Sequence, residues 1–357
     1  MRYKLFFLLI AFCGISFLQA QTYRWKLGMD YFFDNTEYGK SSFLDSQSMN
    51  GLWFNPIGSV HWDSVHSING GVNLLKIPGM KKAIDKVDVT LYYQYQTPKV
   101  LFRAGAFPRK EVLPNYSNFF FKDSVNNFVP LMQGVFWQIG HGRNFFNMWM
   151  DWTGYATPDT RENFYLGFSG KASKSILFAD FQSYLFHFAG TNPGNPLYSV
   201  SEQLQAMVSA GVEYESENSF KGLISAGILT GFERDRRAEE KYTPTGFVAR
   251  ANAEFWGIGT ENMFYTGNPR MRLFNKLGGD LYWGTQFLRG NSYLQSKWYI
   301  RLLESDWAKV RFNCNLHFSE GHTLFQQTLS VVASFDSFSK TDKQNNRKYP
   351  WMQVFNP

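Results

Sequence analysis

Six histidines, two cysteines and 29 carboxylates are the side chains of this 357-residue chain from which a catalytic or metal site could be assembled. His66-Ser67-Ile68-Asn69-Gly70 places an imidazole, a hydroxyl and an amide within four residues, the types that activate a nucleophile. In an extended chain, however, adjacent side chains point to opposite faces, so His66 and Ser67 cannot converge. His61 and Asp63 share a face without a serine on it. There is no HExxH, no cysteine pair and no acidic loop of calcium-binding spacing, so neither metal nor cofactor is expected. Cys314 falls on the apolar side of its segment and reads as a structural thiol. Catalytic residues are therefore expected to be none, and the chain reads as a non-enzyme.

The charges carry a different message. Arg24, Lys26, Asp30, Arg103, Asp151, Glu213, Arg250, Glu254, Lys297, Arg301 and Arg311 all occupy the polar positions of alternating segments, seven basic to four acidic. Lining a water-filled lumen, such groups would bias passage towards anions. The plainer expectation is that they solvate a wall and pair with one another, as Arg250 and Glu254 can from two pleats apart. One connection stands out, Arg109 to Pro130, because Phe119, Phe120, Phe121 and Phe128 are too apolar for a solvated tip. These four phenylalanines are expected either to fold into a barrel mouth as a constriction or to bind a ligand, against the alternative of a self-packed surface loop.

The segments that must position these groups are strands. From Lys309 to Ser319 the odd positions read Lys309, Arg311, Asn313, Asn315, His317, Ser319 and the even ones Val310, Phe312, Cys314, Leu316, Phe318. Eleven residues of period-2 alternation exceed an ordinary globular strand and match a tilted strand crossing a bilayer. The pattern recurs at Tyr23 to Phe33, and after a 23-residue connection, Asp34 to Pro56, at Ile57 to Trp62 and His66 to Leu75. It continues with Lys86 to Gln96, Lys99 to Phe107, Leu131 to Gly140, Phe145 to Gly154, Asn163 to Lys171 and Ile176 to Phe188. Gln203 to Glu215, Phe220 to Phe232, Gly246 to Trp256, a weaker segment to Tyr265, Asp280 to Leu288, Leu294 to Leu303, Thr323 to Phe335 and Tyr349 to Phe355 complete it. Short turns alternate with long loops. The expectation is about 18 antiparallel strands, or 16 if the weak segment or the last one fails, in a single up-and-down transmembrane β-barrel of all-β class.

Alternation alone does not distinguish a membrane wall from a soluble sandwich. The apolar face of Gly246 to Trp256 does, reading Phe247, Ala249, Ala251, Ala253, Phe255. Its two rings stand roughly 20 Å apart along a tilted strand, close to the roughly 25 Å between the aromatic girdles of a membrane barrel. A packed soluble core favours bulk at mid-strand. A propeller would show four strands in every 40 to 45 residues, and a TonB-type transporter needs 22 strands and a plug domain. A mean hydropathy of −0.32 beside 18% aromatic residues fits interleaved faces. Arg2, Lys4 and the uncharged run Leu5 to Leu18 read as a secretory signal peptide over residues 1–20 that includes Cys13, leaving 21–357 as the barrel. The basic excess is mild, and no basic run interleaved with aromatics supports nucleic-acid binding.

With the Ala20-Gln21 junction, the barrel rhythm and the near-terminal Phe355, the chain resembles a Gram-negative, Bacteroidetes-type, porin-like outer-membrane β-barrel. Its His66-Ser67-Ile68-Asn69 stretch is only loosely similar to the His/Ser/Asn set of outer-membrane phospholipases. The porin resemblance implies an outer-membrane location, passive diffusion of small polar or anionic solutes, and contact with outer-membrane lipid and lipopolysaccharide. A homo-oligomer or a surface protein partner is consistent with it. The alternative is a non-conducting barrel that serves a secretion or surface-assembly complex. Liposome swelling or bilayer conductance separates the two.

Overall fold

A computed structural model describes residues 21–157, 160–189, 200–216 and 220–337. The expected signal peptide, residues 1–20, and the expected strand Tyr349 to Phe355 lie outside the described residues. The chain rises and falls as β1 (Thr22–Glu37), β2 (Gln47–His61), β3 (His66–Lys76), β4 (Lys86–Gln96) and β5 (Val100–Pro108). β6 (Leu131–His141), β7 (Asn144–Gly154), β8 (Glu162–Lys174), β9 (Leu177–Ala189), β10 (Val200–Glu215) and β11 (Phe220–Asp235) come next. The last are β12 (Glu240–Tyr242), β13 (Thr245–Phe255), β14 (Ile258–Gly267), β15 (Ser292–Glu304), β16 (Ala308–Ser319) and β17 (His322–Asp336).

Each strand pairs antiparallel with its chain neighbours, and β1 closes the ring by pairing with β17 from Lys26↔Asp336 to Glu37↔Phe325. β12 is a short hairpin strand beside the end of β11, whose main partner is β13. Among the described residues the wall therefore has sixteen strands plus this one extra, the lower of the two expected counts.

Sidedness follows the alternation. On β4 the outward Val87, Val89 and Leu91 are 57%, 62% and 58% exposed, whereas the inward Thr90 and Tyr92 are buried. Phe247 and Phe255 are both exposed at the ends of β13. No helix among the described residues is long and apolar enough to cross a membrane, and the crossing is made by strands.

Two expectations about segments are corrected. Asp34 to Pro56 is not a long loop, because β1 runs on to Glu37 and β2 begins at Gln47. Polar residues continue both strands above the apolar band, where Thr36 and Gln47 exchange side-chain to backbone hydrogen bonds of 3.0 and 2.9 Å. Asp280 to Leu288 is not a strand. Residues 268–291 instead leave the wall and coil through short helical turns at Phe274–Leu277, Gly278–Asp280 and Gln286–Arg289.

Removing that strand reverses the direction of the strands after it, so the two-residue turn Glu320-Gly321 lies at the long-loop end. Both residues have positive φ, 53° and 76°, the geometry of the tightest hairpin turns.

The interior is packed rather than water-filled across the outer half. Residues 109–130 fold inward through short helical turns at Arg109–Val112 and Asp123–Phe128, and Phe119, Phe120 and Phe121 are fully enclosed. Phe119 packs on Tyr265 and Tyr293, while Phe120 and Phe121 pack on Tyr184. Residues 268–291 enter beside them. Gly284 comes so near the Phe119 carbonyl that a Cβ there would lie 2.1 Å from its oxygen, which is why this position needs glycine.

Buried charges fasten both inserts. Arg109 lies 2.7 Å from Asp151 and under the rings of Phe121 and Trp283, and its guanidinium donates to the carbonyls of Val129 and Leu131. Glu233 accepts from the backbone N–H groups of Met271 and Arg272 and from the Tyr282 hydroxyl, each at 2.7 Å.

Candidate active site

Above the packed middle, at the long-loop end, a partly open cavity of about 100 Å³ is lined by β1, β2, β15, β16, β17, the loop between β1 and β2 and the two inserts. Asp34 and Thr36 reach it from β1, His317 from β16, Gln326 from β17, and Lys122, Asp123 and Ser124 from the first insert. Strand pairing explains the convergence. Asp34 faces Thr328 and Thr36 faces Gln326 across β1 and β17, while Asn315 faces Gln326 across β16 and β17.

The hydrogen bonds orient Gln326 uniquely. Its amide nitrogen donates to Asp34 at 2.8 Å and to Asp123 at 3.4 Å, while its carbonyl oxygen accepts from Asn315 at 2.8 Å. The same oxygen lies 3.0 Å from Nε2 of His317, which places the imidazole proton on Nε2. Nδ1 then accepts from the Tyr293 hydroxyl at 2.7 Å. Tyr38 lies 3.1 Å from Nε2 on the open side.

His317 is thus a fully engaged orienting group. The acid–base capacity of the pocket sits in the two carboxylates that share one amide. Lys122 also lines the cavity, and burial pushes its ammonium pKa below its ordinary value. Two carboxylates that share one amide in a pocket also lined by a lysine are groups that can activate a water.

Of the charges singled out in the sequence, Arg24 stands near the short-turn end. The other ten are all ion-paired. Lys26 and Arg103 meet Glu111 at 3.0 and 2.8 Å, Asp30 meets Lys110 at 3.1 Å, and Asp151 meets Arg109. Glu213 is held by Arg143 at 2.7 Å and by Lys171. Arg250 meets Asp180, Arg301 meets Glu254, and Lys297 and Arg311 share Glu261. Their partners include Glu111, Asp180 and Glu261, which sequence reading had not singled out, but also the bases Arg109, Lys110, Arg143 and Lys171, so the charges are paired while basic groups still outnumber acidic ones. Arg250 and Glu254 do not pair with each other.

Phe119, Phe120 and Phe121 lie in the packed interior, and Phe128 packs edge-on against Phe32 at 5.1 Å. Ser67 and Asn69 face inward and bond each other and Ser59, whereas His66 faces outward to Tyr93 at 2.6 Å, as adjacent positions require.

Sequence reading missed Asp34, Asp123, His317 and Gln326 as a group. Asp34 was placed at the start of a loop and Asp123 within one. A signal was present in Asn313, Asn315, His317 and Ser319, a row of short uncharged groups unlike a solvated wall.

The sixteen-strand closed wall, its exposed apolar belt and the loop-filled interior define an outer-membrane β-barrel. The chain belongs to the lipid A 3'-O-deacylase-type family, whose sequence model matches residues 16–340. Among solved structures, OmpT of Vibrio cholerae is 9% identical with a TM-score of 0.53, covering 88% of this chain and 98% of that one. A loop L8 deletion mutant of OmpT is 11% identical with a TM-score of 0.51, covering 88% and 100%. OprD of Pseudomonas aeruginosa is 9% identical with a TM-score of 0.51, covering 89% and 94%. These likenesses show the fold alone. No curated protein matches.

Family membership overturns the expectation of a non-enzyme, since the family is one of deacylases. That expectation looked for chemistry at short sequence spacing. The groups gathered here come from β1, the first insert, β16 and β17, which only barrel closure brings together.

Proposed function

We propose that this protein hydrolyses an acyl ester of a lipid A-type glycolipid at the extracellular end of the barrel. In this reading Asp123, on the insert, is the general base towards water, and Asp34 is its acid–base partner. Lys122 stabilises the developing oxyanion, and His317, Tyr293 and Gln326 hold the carboxylates in place. The single observation carrying the proposal is the bridging of Asp34 and Asp123 by one Gln326 amide above a closed middle. Family membership supplies the ester and the lipid class. An active site at this end faces the leaflet that holds such lipids.

Purified protein in mixed micelles with lipopolysaccharide is expected to release free fatty acid. Asp123→Asn should lower the rate by about 10² to 10⁴, the usual contribution of a positioned acid–base group. Absence of release by the unaltered protein, or release undiminished in Asp123→Asn, contradicts the assignment.

A second reading, passive passage of small polar or anionic solutes, is favoured by a vestibule of about 580 Å³ at the short-turn end. It is lined by Arg143, Glu213, Lys221, Glu254, Glu261 and Arg301. Packed phenylalanines separate this vestibule from the outer cavity, so solute passage on this reading requires the first insert to move. A non-conducting role in a surface-assembly complex fits the packed interior and would show as partner capture without hydrolysis.

A further inference from the structure

The packed interior contains polar atoms that the protein itself does not satisfy, and on two neighbouring strands they form a row. Along the inner face of β15 and β16, Gln295 Nε2, Arg311 Nε, Asn313 Oδ1, Asn315 Oδ1 and Ser319 Oγ are buried polar atoms without a hydrogen-bond partner in the protein. Gln295, Asn313, Asn315 and Ser319 are each less than a tenth exposed. Buried polar groups are otherwise almost always satisfied, because leaving one bare forfeits the hydrogen bonds it makes to water. Five such atoms on two neighbouring strands call for a mobile partner that can both donate and accept, which is water.

The register makes these positions continuous. Gln295 faces His317, Lys297 faces Asn315, Tyr299 faces Asn313 and Arg301 faces Arg311 across β15 and β16. Asn313 donates to Thr328 at 2.7 Å, and Asn315 to Gln326 at 2.8 Å. At the outer end the row reaches the cavity through His317 and Gln326. At the inner end Arg311 bonds Glu261, and Tyr299 and Arg301 bond Glu254, and of these Glu254, Glu261, Tyr299 and Arg301 line the vestibule. On β9 and β10, by contrast, the wall bonds the first insert directly, through the Tyr184 hydroxyl to the Phe120 carbonyl, Gln182 to Asn115 and Gln205 to Phe119.

We infer that a hydrated lane runs along the inner wall of β14 to β17, beside the inserts, and lets water cross the barrel while the packed phenylalanines exclude larger solutes. This is a permeation property separate from hydrolysis, and it stands whether or not the carboxylate pair is catalytic.

Osmotic shrinkage of proteoliposomes in a sucrose gradient, monitored by stopped-flow light scattering, reads the lane directly. The unaltered protein should raise water permeability several-fold over protein-free vesicles while sucrose stays outside. Asn313→Leu with Asn315→Leu, of similar volume but without polar atoms, should return permeability to the lipid baseline. The heat-modifiable gel mobility of a folded barrel confirms that the variant is intact. If the double variant fails to fold, Gln295→Leu on the other strand makes the same decision. Baseline permeability in the unaltered protein overturns the lane, as does undiminished permeability in a folded variant.

Discussion

Arg109 and Asp151 face each other where neither reaches solvent, so each charge is tolerated only because of the other. Arg109→Met should cost about 3–5 kcal/mol, since it strands a buried carboxylate. The pair Arg109→Met with Asp151→Leu should cost much less. Urea unfolding of the lipid-inserted barrel, monitored by tryptophan fluorescence, measures both. At the opposite extreme of exposure, Glu320 accepts from the Ser41 hydroxyl and from the backbone N–H of Ser42, both at 3.1 Å, and from the Ser42 hydroxyl. The small burial it suffers would raise its pKa, but the Ser42 and Ser41 hydrogen bonds outweigh this and hold it below the ordinary carboxylate value. A depressed carboxylate stabilises above its unfolded value of about 4.3 and loses that contribution as pH falls through the folded one. Protease cleavage in residues 38–46 should therefore accelerate below about pH 4, and Glu320→Gln should show the fast rate at neutral pH as well. A cleavage rate independent of pH in the unaltered protein contradicts the assignment.

The inserts are what set this barrel apart from an open one. Deleting Asn115 to Asn126 removes the phenylalanines and Tyr116, whose hydroxyl bonds the carbonyls of Phe168 and Ser183 on the wall. Single-channel conductance in a planar bilayer should rise from near zero to that of an open pore. An unchanged trace would mean that residues 268–291 close the lumen alone. Strands were legible wherever one face meets hydrocarbon. Lys86 to Gln96 appears with the limits its alternation gives, because Val87, Val89 and Leu91 face lipid and must be apolar. Asp280 to Leu288 was misread because a segment buried on every side inside the barrel needs apolar residues at whatever spacing its coil demands. Tyr282, Phe287 and Leu288 mimic a strand face by this route. Aromatics on the inner faces of β8 and β9, among them Tyr165, Tyr184 and Phe186, were the clue that the lumen is packed.

For the whole molecule, the outer-membrane barrel could be read from the chain, but the proposed acid–base site could not. Alternation is a local property of each strand. By contrast, Asp34 and Gln326 meet across the closing seam between β1 and β17, 292 residues apart in the chain. Closure also decides which carboxylates meet the inner-wall cations, as where Arg250 reaches Asp180 and Arg311 reaches Glu261 across the intervening strands. The proposed hydrolysis is tested most directly by the mass spectrum of lipid A from Gram-negative cells that express the protein in their outer membrane. The account predicts a new species lighter by one acyl chain, present with the unaltered protein and absent with an equal amount of folded Asp123→Asn. An unchanged lipid A profile with the unaltered protein inserted, or the same lighter species with the variant, would contradict it.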